Sequence, residues 1–128
     1  MSDQCSTVKF ATFDYSLVGH IVDPNTPFDP TMIEVPSVSL DHYVYEQNHP
    51  VPSFIKIDVE GGEEKVLLGS AKLLQEHKPI VLAEVRKGEM WRNVTEFMQL
   101  NTYTCHIIDG GWEVEQDGLA DLLFLPAV

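Results

Sequence analysis

Asp58, Glu60 and Glu84 are the side chains of this chain whose types and positions best suit chemistry. Asp58 follows the apolar run Phe54-Ile55-Lys56-Ile57 and opens the stretch Asp58-Val59-Glu60-Gly61-Gly62-Glu63, while Glu84 follows a second apolar run, Ile80-Val81-Leu82-Ala83. A helical pattern separates the runs, so they read as a βαβ unit, and in an open parallel α/β sheet ligands bind outside the carboxyl ends of the strands. A carboxylate there can orient a hydroxyl or amine and accept its proton. The competing reading of Asp58 is a residue that starts a turn and caps a helix. A pair such as Asp58 and Glu84 can also bind a divalent cation or share a proton; no third ligand is set by spacing, and no metal is assigned. Glu60 borders Gly61-Gly62, whose missing side chains permit a strained turn or the close approach of a ligand. Glu63 begins the helix, where negative charge gains about 0.3–1 kcal/mol from the dipole, and is read as structural.

The elements that must position these acids follow from periodicity. Val66, Leu67, Leu68, Ala71, Leu73 and Leu74 recur at helical spacing, with Glu63, Glu64, Lys72, Gln75 and Glu76 on the other face, which predicts one amphipathic helix stopped by Pro79. Ile80–Ala83 reads as a strand covered on both faces. Glu89 to Leu100 forms a second helix with Met90, Val94, Phe97 and Met98 toward the core, Tyr103 to Ile108 a third strand ending at Asp109-Gly110-Gly111, and Asp121 to Leu125 a last strand. Upstream, Val8 to Val22 reads as one or two strands broken near Gly19. Pro24, Pro27 and Pro30 make the following stretch a loop and an internal boundary. Glu34 to Ser39 alternates as a strand, and Leu40 to Glu46 is a short helix capped by Ser39 or Asp41.

Other reactive side chains carry less. His20, after Gly19, has a pKa range suited to a general base but reads first as a surface or hydrogen-bonded histidine. His42, His49, His77 and His106 lack ligand spacing. Trp91 and Trp112 read as half-buried anchors. Cys5 and Cys105 are far apart and read as free thiols, Cys105 on a strand in the core. The sequon Asn93-Val94-Thr95 falls inside a helix and reads as idle.

Composition bounds the partners. The 128 residues, 44% hydrophobic, fit a single domain, 1–128, with residues 1–34 the least patterned part. Twenty acidic against eight basic residues give a net charge of −12, which repels phosphate backbones and anionic lipid surfaces, so neither nucleic acid nor membrane is an expected partner. No apolar run suits a membrane span and no signal pattern opens the chain, so a cytoplasmic protein is expected.

The succession Val38-Ser39-Leu40-Asp41, Ile55-Lys56-Ile57-Asp58-Val59-Glu60-Gly61-Gly62-Glu63, Val66-Leu67-Leu68-Gly69-Ser70 and Lys78-Pro79-Ile80-Val81-Leu82-Ala83-Glu84 resembles the carboxyl-terminal half of the FkbM family of S-adenosylmethionine-dependent methyltransferases, from about Val35 to Val128. The resemblance implies an α/β fold: part of a class I methyltransferase (Rossmann-like) sheet, with a parallel βαβ core and a C-terminal antiparallel hairpin. It implies transfer of a methyl group from S-adenosylmethionine to a hydroxyl of a small molecule or sugar, with Asp58, Glu60 and Glu84 on the acceptor side. The glycine-rich turn that holds the cofactor in complete members is absent, and no GxGxxG occurs, so no cofactor-binding residue is assigned and activity of the isolated chain is in doubt. The chain is either a piece of a longer protein or a short relative without the cofactor half. Without earlier strands the Phe54–Ile57 strand becomes an edge exposing Phe54, Ile55 and Ile57, and a homodimer through that edge is favoured over cover by Val8–Val22. A non-catalytic binding or dimerisation module is the alternative function, and a carboxylate-metal hydrolase a distant third.

Overall fold

Residues 1–12, 19–111 and 117–128 are described by the computed structural model. In chain order the elements are β1 (Ser6–Ala11), β2 (His20–Ile21), β3 (Met32–Ser37), a π-type turn (His42–Glu46), β4 (Phe54–Ile57), α1 (Glu63–Leu68), α2 (Ala71–His77), β5 (Ile80–Arg86), α3 (Glu89–Leu100), β6 (Tyr103–Asp109) and β7 (Leu119–Pro126). They build a three-stranded sheet, β2-β1-β3, and a four-stranded sheet, β4-β5-β7-β6.

The larger sheet is mixed. β4 and β5 are parallel, with Phe54 opposite Ile80 and Ile57 opposite Ala83. β7 then pairs antiparallel with both β5 and β6, so the last strand of the chain is inserted inside the sheet and β6 forms its far edge. The parallel core therefore reduces to the β4–β5 pair. Alternation along each strand splits the residues between two faces. Val81, Ala83, Val85, Leu122 and Phe124 point to one face, fully buried, where they share a core with Val66, Leu67 and Leu74 of α1 and α2 and Trp91, Val94 and Met98 of α3. Trp91 thus serves as a core anchor. Leu82, Glu84, Leu123 and Leu125 take the opposite face and stay half-buried, and Ile80 beside them is exposed.

The amphipathic pattern after Gly62 makes two helices rather than one. At Gly69 a Cβ would overlap the Ser2 carbonyl oxygen, so only glycine admits the N-terminal segment there. Asp41 donates its backbone N–H to the Gly69 carbonyl at 2.9 Å. Its carboxylate accepts the N–H groups of Lys72 and Leu73 at 3.0 and 2.9 Å, capping α2 from a distant part of the chain. Asp41 therefore starts α2, and Ser39 caps the His42–Glu46 turn, its Oγ accepting the His42 N–H at 3.1 Å.

The N-terminal region forms its own antiparallel sheet, and the proline-rich loop connects β2 to β3 within that sheet instead of marking a boundary. Lys9 fastens this loop by donating to the Pro24 and Thr26 carbonyls, both at 2.8 Å. Among the described residues β1 and β2 do not pair with β4; residues 13–18 of the Val8–Val22 segment lie outside the described residues. Phe54 is 51% exposed on β4 and Ile55 half-buried, but Ile57, expected at the surface, is buried under the helices. Cys5 and Cys105 are free thiols; Cys105 is half-buried, and burial pushes its thiol up to about 11, which keeps it protonated. No helix among the described residues is long and apolar enough to cross a membrane.

Candidate functional site

The turn after β4 is shaped by backbone strain. Glu60 adopts a left-handed conformation with φ of +54°, and Gly61 follows at +100°, with open space around it. The second value is tolerated by glycine alone, and the first is uncommon for a residue with a side chain. Gly62 has an ordinary φ of −102°, so Gly61 is the glycine that makes the turn. The reversal carries Glu60 back toward the end of β4.

Asp58, Glu60 and Glu84 converge there. One carboxylate oxygen from each lies within 4.8 Å of the others. Asp58 and Glu60 are exposed and Glu84 is half-buried. Lys56 approaches Asp58 at 3.5 Å, an exposed ion pair that contributes little energy. Glu84 stands opposite Asp121 of β7. Burial, followed by the charges of Asp58, Asp121, Glu60 and Glu63, raises the pKa of Glu84 above the ordinary glutamate value.

Glu63 and Asp121 are the members that periodicity missed. Glu63, read as a solvated helix-start residue, is 2% exposed; its Oε1 accepts the Gly61 N–H at 3.0 Å, and its Oε2 has no hydrogen-bond partner. Asp121 looked like the start of a strand, and only the β5–β7 register sets it beside Glu84. The recurrence of acid immediately after or before an apolar run was the available signal for Asp121; nothing in the pattern marks Glu63 as buried.

The cluster stands between two recesses. A cavity of about 500 Å³ lies between the N-terminal sheet and the β4–α1 turn, with Lys9, Asp23, Glu34, Glu60, Gly61 and Lys65 on its walls. A smaller one of about 120 Å³ is formed by Glu84, Asp109 and Asp121 with Gly110, Leu119 and Ala120. His20 belongs to β2, and its side chain lies outside the described residues, as does Trp112. The geometry therefore assembles carboxylates that can hold a polar ligand, accept its proton or bind a cation.

Comparison with known proteins accords with this arrangement. The crystal structure of methyltransferase FkbM from Methylobacillus flagellatus KT matches with a TM-score of 0.55 and 21% sequence identity, over 71% of this chain and 23% of that one. At this identity the likeness concerns the fold, and the chain spans 23% of that protein's length. No curated protein matches the chain. The family model of the methyltransferase FkbM domain matches residues 6–105, extending upstream of Val35 through β3 and β1. With most of its length inside that model and its sheet like that of an FkbM structure, the chain belongs to the FkbM methyltransferase domain family.

Proposed function

We propose that this chain provides the acceptor side of a methyltransferase, binding a hydroxylated small molecule or sugar at Asp58, Glu60 and Glu84. The carboxylates hold the hydroxyl, and Glu84 or Asp58 takes its proton as the oxygen becomes a nucleophile. The supporting observation is the convergence of three acids, from the end of β4, the turn after it and the neighbouring parallel strand β5, within 4.8 Å. A raised pKa makes Glu84 a stronger base than an ordinary glutamate.

Family membership implies a methyl donor, which the sequence resemblance gives as S-adenosylmethionine. The described residues do not fit that group. Among the described residues the outer edge of β4 has no partner strand, and β1, β2 and β3 are antiparallel strands without the strand, glycine-rich turn and helix that cradle such a cofactor. The same observation favours a second reading, a methyltransferase-like binding module that performs no catalysis alone. Calorimetric titration with S-adenosylmethionine and S-adenosylhomocysteine separates the two: saturable binding supports an enzyme, and no heat up to millimolar cofactor leaves the module.

The open β4 edge supports association with a second copy. In antiparallel pairing about a two-fold axis, the Phe54–Ile57 edges of two copies would pair with each other, bringing the exposed Phe54 of each copy to the shared edge. Sedimentation should give a dimer that Phe54→Lys converts to monomer; a monomer at every concentration rejects this pairing. The net charge of −12 disfavours nucleic acid and anionic membranes as partners.

A further inference from the structure

We infer that the bare face of the β4-β5-β7-β6 sheet is a docking surface for one amphipathic α-helix of a protein partner, whose basic residues meet the acidic end of that face. β4 and β5 are parallel, and parallel strands are as a rule covered on both faces. Here α1, α2 and α3 all share a core with the Val81, Ala83 and Val85 side. The opposite side leaves Phe54 51% and Ile80 38% exposed, with Leu82, Leu123 and Leu125 half-buried. These side chains adjoin one another: Ile80 stands opposite Phe54, Leu82 opposite Leu123, and Leu125 follows Leu123 on the same face of β7. An apolar surface continuous across three strands is the kind that a partner covers.

The dimensions suit a single helix. Three strands at about 4.8 Å spacing span about 10 Å, the diameter of an α-helix. β5 runs from Ile80 to Arg86, about 20 Å at about 3.3 Å per residue, which is the length of a helix of about 13 residues. Charge then sets the chemistry of the partner. Along β5 the face passes from Ile80 through Leu82 to Glu84, which stands opposite Asp121 and shares a recess with it and Asp109. Asp58 and Glu60 converge on Glu84 from the β4 side. Against these acids stand Lys56, turned toward Asp58, the exposed Arg86, and Lys87, which donates to the Gly110 carbonyl. The excess is negative, as is the whole chain at −12, so the complement is a helix with an apolar stripe and lysine or arginine at one end. A second copy of the same face is a poor complement. With the two-fold axis along the strands, Glu84 and Asp121 would meet their own counterparts; with the axis across the strands, they would lie on the apolar end, stripped of water without a partner. The surface is separate from the β4 edge proposed for self-association and does not depend on methyl transfer.

The test titrates the isotope-labelled full chain with a synthetic peptide of about 15 residues, about four helical turns, with leucines at i, i+3, i+4 and i+7 and lysines at one end. Amide shifts map where it sits, and calorimetry gives its affinity. A second peptide carries glutamate in place of the lysines, and a third scrambles the leucine spacing. The expected result is saturable one-to-one binding with shifts centred on Leu82 and Leu123. Binding should weaken about tenfold or more in the double variant Leu82→Ser, Leu123→Ser, and equally for the glutamate and scrambled peptides. Leu100→Ser, at a leucine 78% exposed at the end of α3, should leave the affinity unchanged. Circular dichroism verifies that the double variant is folded, and Leu125→Ser replaces it if it is not. No saturable binding up to millimolar peptide overturns the inference, as does equal affinity for the double variant or for the glutamate peptide. Sedimentation supplies the remaining outcome: self-association that the double variant abolishes and Phe54→Lys leaves intact assigns the face to a second copy and overturns the inference as well.

Discussion

On one face of β5, Val81, Ala83 and Val85 are sealed beneath three helices, while on the other Leu82 and Glu84 remain half-buried and Ile80 is exposed. The same strand therefore serves two purposes. Its covered face gains from apolar burial and accepts little change; its bare face forfeits that burial and keeps Glu84 partly accessible to a ligand. Chemistry collects where packing is incomplete, because a charged group on the packed face would lose its hydration without a partner. Glu63 is the exception, buried at the start of α1 with one carboxylate oxygen left without a partner.

Substitutions can break or sharpen this contrast. Phe124→Ala on the covered face should cost about 3–5 kcal/mol in urea unfolding, while Leu123→Ala, its neighbour on the bare face, should cost only about 1 kcal/mol. Equal costs would mean that the second face is covered in solution. Gly69→Ala should destabilise by about 1–3 kcal/mol, since its methyl group meets the Ser2 and Asp3 backbone; thermal unfolding would show it, and an unchanged midpoint would place the N-terminal segment elsewhere. Asp41→Ala removes the acceptor for two α2 amides and should cost about 0.5–2 kcal/mol, with faster hydrogen exchange at Lys72 and Leu73.

The smallest effect lies at the site and has the opposite sign. Because the folded chain raises the pKa of Glu84, its ionised form opposes folding above that pKa. Stability should increase as pH falls from neutrality through the raised pKa toward the ordinary value of 4.5, and this contribution should then level off. Glu84→Gln should therefore stabilise the protein at pH 7, by roughly 0.5 kcal/mol or less, and lose that advantage below the ordinary glutamate range. Urea titrations of both proteins across pH check this, and destabilisation by Glu84→Gln at neutral pH would contradict the assigned crowding.

How much was legible depended on how local each signal was. The Phe54, Ile80 and Tyr103 strands and the Glu89–Leu100 helix could be read because hydrophobic period and proline stops act within a few residues. The break at Gly69 was hidden, since it comes from Ser2 and Asp41 arriving from elsewhere in the chain. Insertion of β7 between β5 and β6 was likewise a matter of long-range pairing.

By itself the sequence determined most element types, the acidic charge, and the position of Asp58 at the end of an apolar strand, because each follows from side-chain chemistry and short-range periodicity; the second strand was expected to end at Ala83 but runs on to Arg86, so Glu84 lies within it. Tertiary structure alone decided that Glu60 turns back to join them, that Asp121 stands opposite Glu84, and that Glu63 is buried with an empty oxygen. Those are distances between residues whose separation along the chain says nothing of their separation in space, and only the packing of strands, turn and helices sets them.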